Sequence, residues 1–268
     1  MPTIRDIAAA LEAWAPPGSA QDYDNVGLQV GDARRSVDTV LVALDATPQV
    51  LDEAIAHDAD LLLTHHPLIF RPLKNVTAGS YVSELALKLA EAGVGLYSIH
   101  TNLDAAPDGV SFALAERLGL TDVGFLDGFD ETLYKLATFV PHDAVDDVRE
   151  ALADAGAGRI GDYDHCAFFT AGTGTFRPGD AADPHIGTAG GDVESVAEIK
   201  VEVEVARWDL GPVVGALEDA HPYDEVAYDV YPVQQKNTRA GLGAMGVLDP
   251  PMLLPAFLER VATQLDAG

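Results

Sequence analysis

His65 and His66 stand side by side, separated by Thr64 from the apolar run Leu61-Leu62-Leu63 and placed just before Pro67. Neutral imidazole is a frequent metal ligand, and its second ring nitrogen can be fixed by an outer partner. Neighbouring side chains on a strand point to opposite faces, so both rings reach one site only if the backbone turns there. Pro67 ends the strand at that point. A turning His-His pair could supply one ligand to each of two neighbouring metals. The ordinary alternative for an isolated pair is one ring closing the strand end and the other in solvent.

The elements around the pair weigh against that alternative. Thr3 to Ala13 reads as a helix capped by Thr3, with Asp6 three residues on. A Pro- and Gly-rich loop follows, ending in Tyr23-Asp24-Asn25-Val26-Gly27-Leu28-Gln29-Val30-Gly31. Strands are expected over Thr39–Leu44, Asp60–Thr64 and Val94–Ile99, and helices over 47–58, Tyr81–Ala92 and Gly109–Leu118. Such alternation implies right-handed crossovers and a parallel sheet, whose ligands bind beyond the carboxyl ends of the strands. Three consecutive strands end in Asp45, in His65-His66 and in the stretch from His100 to Asp104. The repeated placement of chemistry-bearing residues points to a metal site made from His65, His66 and Asp104. Two imidazoles with a carboxylate suit Zn, Mn, Fe or Co better than Mg or Ca. His100 is open to four roles: ligand, outer partner, substrate contact or hydrogen-bonded strand end. Asp45, beside Thr47, also has a strong claim as a cap of the following helix.

Beyond Glu131 the pattern changes to β-α-β-β-α-β, which reads as a ferredoxin-like split βαβ unit over residues 131–233. Its strands are expected at Leu133–Val140, His165–Thr170, Ile199–Val205 and Val226–Val233, with helices at Ala144–Ala155 and Leu210–Ala220. Gly172-Thr173-Gly174-Thr175 is Gly-rich, but no helix follows, so a bulged hairpin is expected there in preference to a phosphate cradle. His221, Asp224 and Glu225 have ligand chemistry, yet Pro222 excludes one shared helical face, and a structural role is expected. Residues 234–268 read as a polar linker to Ala240, then a strand at Gly241–Leu248 and a helix at Met252–Leu265. The fold class is thus α/β: a metal-binding core in residues 1–130, an inserted α+β unit, and the start of a return to the core.

Composition narrows the partners. The net charge is −27 over 268 residues. That excludes nucleic-acid phosphates and anionic membranes as partners of the general surface, and implies a solvated acidic exterior. No apolar run approaches a membrane span, and the start of the chain lacks the pattern of a signal peptide. Cys166 is the single cysteine, so no intrachain disulfide can form. A cytoplasmic location is expected.

Three stretches, YDNVGLQVG (Tyr23–Gly31), THHPLIF (Thr64–Phe70) and HTNLDAAPDGVS (His100–Ser111), resemble the motifs of the dinuclear-metal-centre proteins called the GTP cyclohydrolase I type 2, or Nif-three-like, family. The resemblance covers essentially the whole chain. It implies two divalent metals a few ångströms apart in a homohexameric ring, and it allows a small-molecule substrate. His65 and His66 match the family's paired His ligands and Asp104 its carboxylate ligand; Asp24 and Asn25 match a segment near the site without being ligands. The 131–233 unit resembles the inserted domain of longer members, itself similar to small trimeric PII-type and cation-tolerance proteins, which implies an assembly or regulatory role. The family core also carries a His and a Glu four residues apart in a later segment, and nothing here matches them. A fragment of a longer protein is the leading expectation; a separate polypeptide supplying the rest, or a variant that has lost the full site, are the alternatives. Two functions follow: a metal-dependent hydrolase of a nucleotide or phosphorylated small molecule, or a non-catalytic metal-binding scaffold.

Overall fold

The computed structural model describes residues 1–267. They divide into two compact units, residues 1–128 with the segment from Arg239 onward, and Phe129–Thr238.

The first unit opens with helix α1 (Ile4–Trp14). Thr3 caps it reciprocally: the Asp6 amide donates to Thr3 Oγ1 at 3.3 Å and the Thr3 amide donates to Asp6 Oδ2 at 2.7 Å. Strands β1 (Gly27–Val30), β2 (Val40–Ala43), β3 (Leu61–Thr64) and β4 (Gly95–Ser98) follow. Helix α2 (Pro48–Ala56) crosses from β2 to β3, and α3 (Tyr81–Ala92) from β3 to β4. Thr47 and Ser80 cap these helices through the amides of Val50 and Ser83. Gly93, at φ 70°, closes α3 in the left-handed region where glycine is favoured. The strand order is β1-β4-β3-β2. The expected parallel set β2-β3-β4 is present, but β1 adds an antiparallel edge in a stretch that the sequence reads as loop. Mixed sheets with one such edge are common.

β3 is buried on both faces, which is why it reads as an unbroken apolar run. Leu62 packs with Leu51, Leu85 and Leu89 from α2 and α3. Its neighbour Leu61 packs on the other side with Ile4 and Tyr97. Each such leucine contributes about 1.5–3 kcal/mol by leaving water. This core holds β3 and β4 in fixed register, Leu61 beside Gly95 and Thr64 beside Ser98, and so fixes where their carboxyl ends emerge. After β4 come a single turn of helix, α4 (Thr101–Asp104), then α5 (Val110–Arg117) and β5 (Leu120–Phe129).

The second unit contains β6 (Leu133–Pro141), α6 (Val145–Asp154), β7 (Ala167–Phe176), β8 (Glu194–Ala206), α7 (Leu210–Ala220) and β9 (Tyr228–Val233). Its sheet is ordered β7-β8-β6-β9 with every pair antiparallel. Alternation along β8 sends Ile199, Val201, Val203 and Val205 into a core with Val148, Leu152, Val213 and Leu217 of the two helices. Glu198, Lys200, Glu202 and Glu204 occupy the opposite face. The bulged hairpin expected at Gly172–Thr175 is not there. β7 runs in continuous register from Ala167 beside Val203 to Phe176 beside Glu194, because the two glycines alternate with threonines that suit a strand. His221 is structural: Nε2–H donates to the Phe139 carbonyl at 3.1 Å and Nδ1 accepts the Tyr223 amide at 3.1 Å. Burial keeps its imidazole below the usual pKa.

The chain then returns to the first unit with β10 (Asn237–Leu248), which pairs with β5, and α8 (Leu254–Leu265). The linker expected up to Ala240 is shorter, since Asn237 is already buried in the strand. No helix among the described residues is long and apolar enough to cross a membrane.

Candidate metal centre

Three parallel strands deliver the site at one edge of the first unit's sheet. The ladder continues past the strand ends: the His65 amide donates to the Ala43 carbonyl at 3.3 Å and the His66 amide to the Leu44 carbonyl at 3.0 Å. The Thr64 hydroxyl, buried at the end of β3, donates to the His66 carbonyl at 3.0 Å and contacts Ser98 Oγ at 2.9 Å. That turn lets adjacent imidazoles converge, with ring centroids 5.0 Å apart. His100, at the start of α4, stands 5.1 Å from His65 and 5.5 Å from His66, centroid to centroid. One ring nitrogen from each of His65, His66 and His100 lies within 4.8 Å of the others.

Every ring is held through Nδ1. His65 Nδ1–H donates to the Ile99 carbonyl at 2.9 Å. His66 Nδ1–H donates to Asp45 Oδ1 at 2.8 Å. His100 Nδ1–H donates to both oxygens of Asp24, at 2.9 and 3.0 Å. A neutral imidazole with its proton fixed on Nδ1 leaves Nε2 as a lone-pair donor, the arrangement expected of a metal-ligating histidine. His65 Nε2 faces Asp104 Oδ1 at 3.9 Å, too far for a good hydrogen bond. The capping reading of Asp45 does not hold: Thr47 caps α2 and the Asp45 carboxylate goes to His66.

Asp24 is the best-connected carboxylate of the site. Its side chain is fully buried. Beyond His100 it accepts the Thr101 amide at 3.1 Å, the Asn25 amide at 2.8 Å and the Thr101 hydroxyl. Burial alone would raise its pKa, but the hydrogen bonds from His100, Thr101 and Asn25 outweigh it and hold the carboxyl below its ordinary value. The loop carrying Asp24 is braced against the segment after the His pair. Asn25 Nδ2 donates to the Ile69 carbonyl, and the Ile69 amide donates to Gln29 Oε1 at 2.9 Å. No local sequence signal announces these ties, since they join residues about forty positions apart.

The structure therefore brings His65, His66 and His100 together with Asp104 at their margin. The donor set fits a borderline divalent ion: imidazole nitrogens with one carboxylate suit Zn, Mn, Fe or Co. Ligand atoms around one such ion, at about 2.1 Å each, span at most about 4.2 Å, so nitrogens up to 4.8 Å apart would draw in by a few tenths of an ångström to share one ion, or serve two.

An α/β core with this strand-end cluster places the chain in the Duf34/NIF3 (NGG1p interacting factor 3) family, whose profile matches residues 2–268. The chain belongs to that family. Among its relatives, a protein of Halalkalibacterium halodurans named GTP cyclohydrolase 1 type 2 homolog is 41% identical over 261 residues, covering 97% of this chain and 70% of the relative. The Bacillus subtilis protein of the same name is 40% identical over 265 residues, covering 98% and 71%. In structure, the chain is similar to a Bacillus cereus protein related to NIF3, with a TM-score of 0.81 and 40% identity, over 100% of this chain and 71% of that one.

Proposed function

We propose that the chain binds divalent transition metal at the strand-end cluster and belongs to a metal-dependent hydrolase acting on a nucleotide or a phosphorylated small molecule. The observation that carries the reading is the shared anchoring of three imidazoles through Nδ1, which leaves their Nε2 lone pairs for a metal, with Asp104 Oδ1 3.9 Å from Nε2 of His65. His65, His66, His100 and Asp104 would hold the metal. A bound ion of this class supplies Lewis acidity toward a phosphoryl oxygen and acidifies water. The chain's own part is positioning. The Ile99 carbonyl, Asp45 and Asp24 fix the tautomers and planes of the rings, and Phe70, 6.5 Å from the His100 ring centroid, covers one side. In a protein of charge −27, phosphate binding needs a local source of positive charge, and the cluster is the natural place for it.

A second reading is favoured by one observation: Asp24 and Asp45 are both committed to holding rings, so neither is spare as a general base beside the cluster. On that reading the protein is a metal-binding assembly or regulatory scaffold, which would assemble as the homohexameric ring that the family resemblance implies. Elemental analysis after exhaustive desalting, on the wild type and on a His65→Ala, His66→Ala double variant, tests the site. Near-stoichiometric metal lost in the variant supports it; none retained by a folded wild type refutes it for this chain. Metal-dependent turnover of nucleoside phosphates then separates hydrolase from scaffold, and light scattering tests the ring.

A further inference from the structure

The second unit contains a cavity of about 680 Å³ between β7, the segment 177–186 and residues 223–227. That is the size of a small-molecule site. Its floor is the helix-free face of the sheet, and two side chains are absent there. Gly172 and Gly174 share the strand face of Thr170 and Phe176, and Gly172 lies beside Glu198 in the ladder. A Cβ at Gly172 would meet nothing within 4 Å, so the space above it is open. A Cβ at Gly174 would collide with Glu198 Oε2, so that carboxylate leans across the strand in the room the glycine provides.

The walls are aromatic. Tyr223 stands 6.0 Å from Phe176, 6.1 Å from His185 and 4.9 Å from His221, between ring centroids. Glu198 is only 7% exposed. Its Oε1 accepts the Tyr223 hydroxyl at 2.8 Å. Burial and the adjacent Glu198 both push that phenol's pKa up, so it remains a donor. Lys200 also lines the cavity, on the same strand face, but its ammonium is paired with Glu202 at 3.1 Å, so that with Arg177 the lining holds two cations against the three carboxylates of Glu198, Asp224 and Glu225. Asp224 and Glu225 add two exposed carboxylates to the lining, against Arg177. A buried carboxylate with a neutral donor, in a cavity of aromatic rings and net negative lining, is matched by a cationic nitrogen on an apolar body.

We propose that this cavity binds a small organic cation, a planar and mostly apolar molecule whose protonated amine or amidine docks on Glu198 while its body lies against Tyr223 and Phe176.

The proposal is independent of the strand-end cluster and is tested without metal. The full chain, in chelator and near-physiological salt, is titrated calorimetrically with benzylamine, benzyl alcohol and benzoate at millimolar concentration. Benzylamine should bind at least about tenfold tighter than the isosteric alcohol, as a charge-assisted hydrogen bond requires, and benzoate most weakly. Glu198→Gln should bring benzylamine to the level of the alcohol. Asp219→Asn, which removes an exposed charge elsewhere in the unit, should leave the preference intact and so control for the general acidity of the protein. Gly172→Leu, whose Cβ meets nothing within 4 Å, projects its side chain into the open floor and should abolish binding of all three. Equal binding of amine and alcohol, a preference that survives Glu198→Gln, unchanged binding in Gly172→Leu, or no binding by the folded wild type would each overturn the proposal.

Discussion

Replacing Asp24 by Ala should be among the most costly single changes in the first unit, before any metal is considered. The carboxylate is fully buried and takes hydrogen bonds from His100, from the Thr101 amide and hydroxyl, and from the Asn25 amide. A hydrogen bond to a charged acceptor contributes about 1.5–3 kcal/mol. Summing four overstates the loss, because Asn25 is exposed and His100 partly so, and water can reach their freed donors. Thr101 is 8% exposed, and its two donors stay orphaned. Two orphaned donors cost about 3–5 kcal/mol, the range also seen when one partner of a buried pair is removed. Urea unfolding in chelator measures this, followed by Trp14 fluorescence in a Trp208→Phe background. Trp14 reports on this unit because its indole N–H donates to the Pro107 carbonyl at 2.9 Å. Asp24→Asn should cost less in stability, yet it presents an amide N–H to His100 Nδ1 and should weaken divalent metal binding about 10–100-fold. If Asp24→Ala unfolds within about 1 kcal/mol of the wild type, the claim that this carboxylate organises the site is wrong.

Three further predictions concern the scaffold. His221 is held neutral in the fold, whereas in the unfolded chain it takes up a proton below about its ordinary pKa of 6.5. Stability of the second unit should therefore fall as pH drops below about 6.5, by up to about 1.4 kcal/mol per pH unit until the folded ring protonates; His221→Gln should flatten that slope in urea titrations. Tyr97 is buried and donates to Glu12 Oε1 at 2.9 Å, and burial together with Glu12 raises its pKa. The unfolded phenol ionises near pH 10 and the folded one resists, so stability should decline above pH 10 in the wild type and less steeply in Tyr97→Phe. Gly109 sits where a Cβ would collide with the Leu103 carbonyl oxygen and lie 2.9 Å from that of Ala106. Gly109→Ala should destabilise by about 1–3 kcal/mol, while Gly172→Ala, with open space above it, should be near neutral by thermal melting.

Much of the scaffold is legible from periodicity and caps. Helix α3 occupies Tyr81–Ala92 as Ser80 and Gly93 dictate, and β3 shows itself as a buried apolar run. β1 is hidden because its four residues start at Gly27, stop before Gly31 and pair antiparallel at an edge, where alternation has little length to show. β5 was missed because Asp122, Gly124, Asp127 and Gly128 interrupt its apolar pattern; its partnership with β10 supplies what local propensity does not. At the site, the residue types and the strand ends were readable, but their partners were not. Asp24 is 76 positions from His100, and no spacing rule reaches that far. Asp45 was ambiguous because Thr47 offered the same cap two residues later, and only the three-dimensional arrangement shows which of them takes it.

The pairing of β5 with β10 has a consequence for how the chain is made. Roughly a hundred residues are synthesised between the end of one strand and the start of the other, and closing so long a flexible loop is entropically unfavourable. Once folded, the second unit removes most of that cost. Its own first and last strands lie side by side, Leu133 against Val233, so its ends emerge together. Replacing a loop of about a hundred residues by an effective one of about five lowers the closure penalty by about 2.7 kcal/mol. The inserted unit thus acts as a conformational staple, and variants that unfold it should slow docking of β10 on β5 even though they touch neither strand.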